Sequence, residues 1–126
     1  MTEPATPCIF CNPKREILAA NEAAIAVFDS FPVAPGHALV LPRRHAVTLW
    51  DLDEAEYERC FRLVRDVKAM LAARFSPDGF NVGVNCGEAA GQSVWHAHIH
   101  VIPRYTGDTP NPRGGVRHVI PLKGNY

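Results

Sequence analysis

Apolar residues recur along the chain with two different periods, and the period divides the chain into elements. Tyr57, Cys60, Phe61, Val64, Val67, Leu71 and Phe75 recur at spacings of three and four. That is one apolar face of an amphipathic helix. Asp51 and Asp53 each stand three residues before a glutamate, Glu54 and Glu56, so either can open the helix with a capping box. SPDG (76–79) ends it. Elsewhere the apolar runs are short and bounded by turn residues. EILAAN (16–21) and AIAVFDS (24–30) predict two strands around a tight connection. FPVAPG (31–36) predicts a loop, and HALVLPR (37–43) a buried strand that ends at Pro42. FNVGVNCG (80–87) and WHAHIHVIPR (95–104) predict two more strands, with the small-residue turn EAAGQS (88–93) between them. The proline-rich tail leaves room for a short strand at 115–120. Five strands and one long helix with hairpin-length links indicate an antiparallel α+β domain.

Composition narrows the function classes. The 126 residues fit one domain, 1–126, with a loose Pro/Thr-rich start at 1–7. The formal net charge is zero, which argues against a dedicated nucleic-acid binder and against a polybasic membrane anchor. No apolar run approaches the roughly 18–20 residues of a spanning helix. MTEPATPC has neither a basic n-region nor an apolar h-region, so the expected location is the cytoplasm. There the four cysteines are not expected to form stable disulfides. Cys8 and Cys11 form a CxxC, which suits half a metal site or a redox pair, or is two thiols adjacent by chance. Cys60 and Cys86 read as packing residues.

The chemistry concentrates in HAHIHVIPR (96–104). Three of the six histidines stand at 96, 98 and 100. In a strand, alternate residues share a face, so His96, His98 and His100 are expected on one face about 6–7 Å apart. Ala97, Ile99 and Val101 take the other face as core. A solvated strand face would also be polar, but would be built from Lys, Glu and Thr. Imidazole titrates near neutral pH and serves as acid, base, nucleophile or metal ligand. The row therefore fits either a metal site or a nucleophilic histidine whose neighbours set tautomers and donate protons. GQS (91–93) precedes it. Gly91 lets backbone approach a ligand, and Gln92 and Ser93 offer neutral donors. That set suits an anionic group such as phosphate, although a plain turn uses the same residues.

Taken together, these stretches resemble the histidine triad family of nucleotide hydrolases and transferases. HAHIHVI matches the family's triad. VFDSFPVAPGHALVLPRRH (27–45) looks like its N-terminal nucleotide-binding segment, and GFNVGVNCGEAAGQSVWHAHIHVIPRYTGD (79–108) like its active-site segment. The likeness covers residues 8–108 and leaves 109–126 as an extended tail. It implies an antiparallel five-stranded sheet with one major helix, a homodimer, and a purine nucleotide substrate. His98 would attack the α-phosphorus to form a nucleotidyl-histidine. His100 would assist the leaving group, and His96 would orient the site from behind. Ser93 and Gln92 would hold phosphate oxygens, with Gly91 beside them. Asp29 would accept from the ribose hydroxyls. Ile9, Phe10, Val27 and Leu39 would form the base slot, Asn85 would contact the sugar-phosphate region, and His37 would support the site from behind. The CxxC resembles half a structural zinc site in some relatives. His45 and His96 would complete it as a Cys2His2 set with one zinc per chain. The tail's Arg113, Arg117, His118 and Lys123 read as a solvated or dimer-facing extension, or as phosphate binders. The function implied first is release of AMP from dinucleoside polyphosphates. The alternatives are a purine nucleoside phosphoramidate hydrolase and a zinc-stabilised nucleotide-binding module with weak catalysis.

Overall fold

A computed structural model describes residues 8–125. The expected loose segment 1–7 and the final Tyr126 lie outside the described residues. Five strands form one antiparallel sheet: β1 (Ala19–Ala20), β2 (Ala24–Phe28), β3 (Ala38–Pro42), β4 (Gly79–Val84) and β5 (Ile99–Arg104). Their spatial order is β1-β2-β3-β5-β4. Asn21 makes the first hairpin by accepting the Ala23 and Ala24 N–H groups on Oδ1, an Asx turn. The strand predicted at 16–21 therefore shrinks to two residues.

The helix α1 (Glu54–Phe75) begins at Asp53, whose carboxylate accepts the Glu56 N–H while Glu56 answers the Asp53 N–H. Asp51, the other candidate cap, instead closes a one-turn helix at Leu49–Asp51, which Thr48 caps. Ser76 ends α1 in the left-handed conformation. Cys60, Leu63, Val64, Val67 and Leu71 of α1 pack on Ala24, Ala26, Ala38, Val40, Ile99 and Val101. Two members of the predicted stripe, Tyr57 and Phe61, stand 37% exposed, and Leu63 takes the buried place. The contacting face is thus rotated toward Leu63 because the sheet meets the helix along that side.

The sheet's period of two then sorts its residues. Ile25, Val27, Leu39 and Leu41 point away from the helix and form a second cluster with Phe10. Leu39 pairs with His100 across β3 and β5, so His100 stands on this second face. The strand predicted at 95–104 begins only at Ile99. Residues 96–98 are held otherwise: Ala97 N–H donates to Ala46 O at 2.7 Å, and His98 Nδ1 lies 2.9 Å from His96 O. The tail forms a short 3-10 helix at Gly115–Val119 in place of the expected strand. Gly114 explains the bend, with φ +97 and a position where a Cβ would overlap the Gly124 carbonyl. Among the described residues no helix is long and apolar enough to cross a membrane.

Candidate active site

The second face of the sheet carries a cavity of about 390 Å³ lined by Ile9, Phe10, Asp29, His37, Leu39, Asn85, Gly91, Ser93, His98 and His100. Ten predicted residues thus meet at one place, drawn from the CxxC turn, the ends of β2 and β3, the loop after β4, and the approach to β5. Gly91 has φ +92 and lies where the chain turns beneath Asn85, a conformation that L side chains rarely adopt. Three predicted residues stand elsewhere. Val27 is fully buried in the apolar cluster under Leu39 and Phe10 and does not reach the cavity. His96 is also fully buried. Gln92 is not aimed at a ligand: Oε1 accepts the Gly87 N–H, and Nε2 donates to Val47 O and Val94 O. Both amide hydrogens are used on backbone, so Gln92 fixes the 87–94 loop and has no donor left for phosphate.

The hydrogen bonds fix a tautomer on each ring. The Pro42 carbonyl can only accept, so His96 Nε2 carries a proton, at 2.8 Å, and His96 Nδ1 is bare. By the same rule His98 Nδ1 donates to His96 O, leaving His98 Nε2 bare. His37 Nδ1 accepts the Val33 N–H at 3.1 Å, so His37 Nε2 is the protonated nitrogen. It donates to His100 Nδ1 at 2.9 Å, and His100 keeps its proton on Nε2. Asp29 backs this relay, with Oδ2 3.4 Å from His37 Nε2 and 3.9 Å from His100 Nδ1, while Oδ1 accepts the Phe31 N–H. The rings of His98 and His100 are 5.1 Å apart.

Burial disfavours the charged form of His100, His37 and His96. It lowers the His100 pKa to about 4, helped by the nearby His98 and His37 and opposed by Asp29. Burial also lowers His37, against the pull of Asp29. It lowers His96 despite the Pro42 carbonyl, with His45 and His98 adding to the effect. A neutral imidazole has a lone pair to offer, which a protonated one does not.

Among the described residues, two side-chain clusters have the composition of metal sites. In the first, the donor atoms of Cys8, Cys11, His45 and His96 all lie within 4.8 Å of one another. His96 Nδ1, the bare nitrogen, stands 3.2 Å from Cys8 Sγ and 3.5 Å from Cys11 Sγ, and His45 Nδ1 is 3.2 Å from Cys11 Sγ. Two sulfurs and two imidazole nitrogens converging on one point fit a tetrahedral ion, and the Pro42 carbonyl fixes the ligating tautomer of His96 from behind. This cluster can bind a metal. The second, Asp29 with His37 and His100, does not fit one. His37 Nε2 is committed as a donor, because its other nitrogen accepts Val33 N–H.

The sequence reading missed Arg15, Ser30, Phe31, Val33 and Val94, which also line the cavity. Arg15 NH1 donates to Phe28 O at 2.9 Å, and its guanidinium stands 6.0 Å from the Phe10 ring centroid. Its signal in the sequence is one cation inside KRE (14–16), indistinguishable from surface charge.

The HIT domain family matches residues 12–107. The chain belongs to the HIT domain family. It is 42% identical over 103 residues to an uncharacterized 16.1 kDa HIT-like protein of Mycoplasma pneumoniae, covering 78% of this chain and 72% of that one. It is also 42% identical over 93 residues to the asymmetrical bis(5'-nucleosyl)-tetraphosphatase of Schizosaccharomyces pombe, covering 74% of this chain and 51% of that one. This HIT chain therefore spans about half the length of that enzyme. Among solved structures, a Zn-bound histidine triad family protein from Mycobacterium smegmatis superposes with a TM-score of 0.75 at 29% identity, covering 82% of this chain and 79% of that one.

Proposed function

We propose that this HIT protein hydrolyses dinucleoside polyphosphates, releasing AMP through a nucleotidyl intermediate on His98. The observation that carries the reading is the pair of opposite tautomers at His98 and His100, one with a bare Nε2 and one with Nε2–H, side by side on the cavity wall. His98 Nε2 attacks the α-phosphorus, and the bond from phosphorus to the bridging oxygen breaks. The His98 Nδ1–H stays on the His96 carbonyl and carries part of the new positive charge. His100 Nε2–H donates a hydrogen bond to the departing oxygen, with Ser93 beside the same cavity. Water then displaces His98 from phosphorus, which frees AMP and restores the bare nitrogen. Asp29 accepts from the ribose, and Ile9, Phe10 and Leu39 hold the base.

The acidity of His100 bears on the leaving group. With a pKa of about 4, it is a neutral hydrogen-bond donor and a poor source of a whole proton near pH 7. A departing polyphosphate needs none, since the last proton on a phosphate is lost near pH 6. A departing amine needs one, because amines hold theirs up to about pH 10. The same reading gives the Cys8–Cys11–His45–His96 cluster one structural zinc per chain. That ion would hold His96, and through the His96 carbonyl the orientation of His98, without touching phosphate. β4 is an edge strand of the sheet, an aggregation hazard unless covered, and a second copy of the chain is the proposed cover.

The test is parallel turnover of diadenosine polyphosphates and adenosine phosphoramidate, with acid-quenched mass spectrometry. An AMP-sized adduct is expected on the peptide holding residues 95–104, with faster turnover of the polyphosphate. Faster turnover of the phosphoramidate would reassign the substrate. AMP binding with turnover of neither would leave a binding module, and an adduct on another residue would overturn the mechanism.

A further inference from the structure

The CxxC turn faces two ways. The Cys8 carbonyl accepts the Cys11 N–H at 3.3 Å, which makes Cys8–Cys11 a tight turn with Ile9 and Phe10 at its two corners. The cysteine side chains run to the metal cluster. The corner side chains run to the nucleotide cavity. Phe10 is only 5% exposed. Its ring stands edge-on to His96 at 6.0 Å and tilted against His98 at 5.1 Å. His96 contributes the bare nitrogen of the cluster, and its carbonyl holds His98. A four-residue turn cannot shift its cysteines without shifting the two residues between them. From Cys8 to Ile17 the chain forms no strand or helix, so the turn is held by the packing of Phe10 and the Arg15 bond to Phe28 O and not by a backbone ladder.

We infer that metal occupancy of the Cys8–Cys11–His45–His96 cluster sets the affinity of the cavity for the nucleoside half of the substrate, with Phe10 as the positioning residue that couples the two. The inference rests on the nucleotide reading given above. With the ion bound, both sulfurs and His96 share one centre, and Phe10 is held against His98 before any nucleotide arrives. Without it, the nucleotide must order the turn as it binds, and that ordering is subtracted from its affinity. Linkage makes the effect reciprocal: whatever factor zinc adds to nucleotide affinity, nucleotide adds to zinc affinity. Couplings of this kind usually lie between about 5-fold and 150-fold, and a single aromatic wall places this one near ~10-fold.

The experiment uses the full chain loaded with zinc. AMP affinity is measured by titration calorimetry before and after a chelator removes the metal, with circular dichroism reporting the fold. Zinc affinity is measured by chelator competition with and without saturating AMP. The rate at which excess chelator strips zinc from the folded protein gives a second measure, usable even where the metal-free chain unfolds. Equal factors of ~10 in both directions, and slower stripping under AMP, are expected. In Phe10→Ala, zinc should still bind at one per chain, while both factors fall to near one. AMP affinity that changes by less than about twofold on zinc removal overturns the coupling alone. So does a full shift persisting in Phe10→Ala. A zinc-loaded chain that binds no AMP overturns the nucleotide reading, and this inference with it.

Discussion

Replacing His100 with glutamine should flatten the acid side of the protein's stability profile. In the folded chain His100 is held neutral by burial and by the neighbouring His98 and His37, with a pKa of about 4 instead of 6.5. His100 is 24% exposed, so solvent screening is limited. The gap is worth about 3 kcal/mol, at about 1.4 kcal/mol per pH unit. The sign follows from proton counting. Between pH 4 and 6.5 the unfolded chain binds a proton at this ring that the folded chain refuses, so stability rises with pH across that window. The contribution is fully present above 6.5 and is lost as pH falls toward 4. Between pH 7 and pH 5 it amounts to about 2 kcal/mol. Urea unfolding of the wild type and of His100→Gln at half-unit steps from pH 5 to 7.5 isolates this share. Both proteins keep His37, His96 and His98, and both lose any bound metal on acidification, so those contributions cancel to first order. Glutamine retains a polar group for the His37 Nε2–H and does not titrate. Parallel stability profiles for the two proteins would refute the argument that His100 resists protonation.

Other outcomes follow from the same geometry. His98→Ala should lower turnover by about 10³-fold or more and leave AMP affinity nearly unchanged in calorimetry, because the slot and Asp29 are intact; near-normal turnover would remove His98 from the chemistry. Elemental analysis should find one zinc per chain, lost on acidification as the ligands take up protons, and full zinc content in Cys8→Ala plus Cys11→Ala would break the assignment. Asp53→Ala removes a side-chain cap and half of a capping box, so it should cost about 1 kcal/mol in urea unfolding without changing AMP affinity. Light scattering should give a dimer mass at micromolar concentration, and a monomer there would leave the β4 edge to some other cover.

The fold was legible wherever the hydrophobic period was strong. The helix from Glu54 to Phe75 and strands β2 and β3 stand close to where the pattern places them. The errors share a cause: periodicity reports amphipathicity and not which partner lies opposite. Tyr57 and Phe61 satisfy the helical spacing as well as Leu63 does, yet the sheet meets the Leu63 side. The tail at 115–120 left room for a short strand, but two consecutive glycines with positive φ, Gly114 and Gly115, precede and open a 3-10 helix there.

The site was legible as a set of residues, not as a geometry. Spacing of two suggested three equivalent imidazoles on one strand face, but the strand begins after His98, and the three rings have three environments. His96 turns inward to Pro42 and the cysteines, His98 hangs from the His96 carbonyl, and only His100 lies in the ladder. That inequivalence is what the proposed chemistry needs. Three identical rings on a flat strand would repel one another when charged and would share no fixed tautomer when neutral. Here one carbonyl, Pro42 O, fixes the ring that faces the cysteines. A second, His96 O, bares the His98 nitrogen proposed to attack. A backbone N–H from Val33, far from both in sequence, fixes His37 and through it the proton on His100. Each of these anchors is a main-chain group. No pattern of side chains along the sequence announces which carbonyl a ring will find, because that depends on loops brought together only when β3 and β5 pair. Gln92 is the converse case. Its position in GQS marked it for phosphate, while the fold uses its amide on backbone groups at 47, 87 and 94, so its substitution should disturb the cavity through the loop it holds.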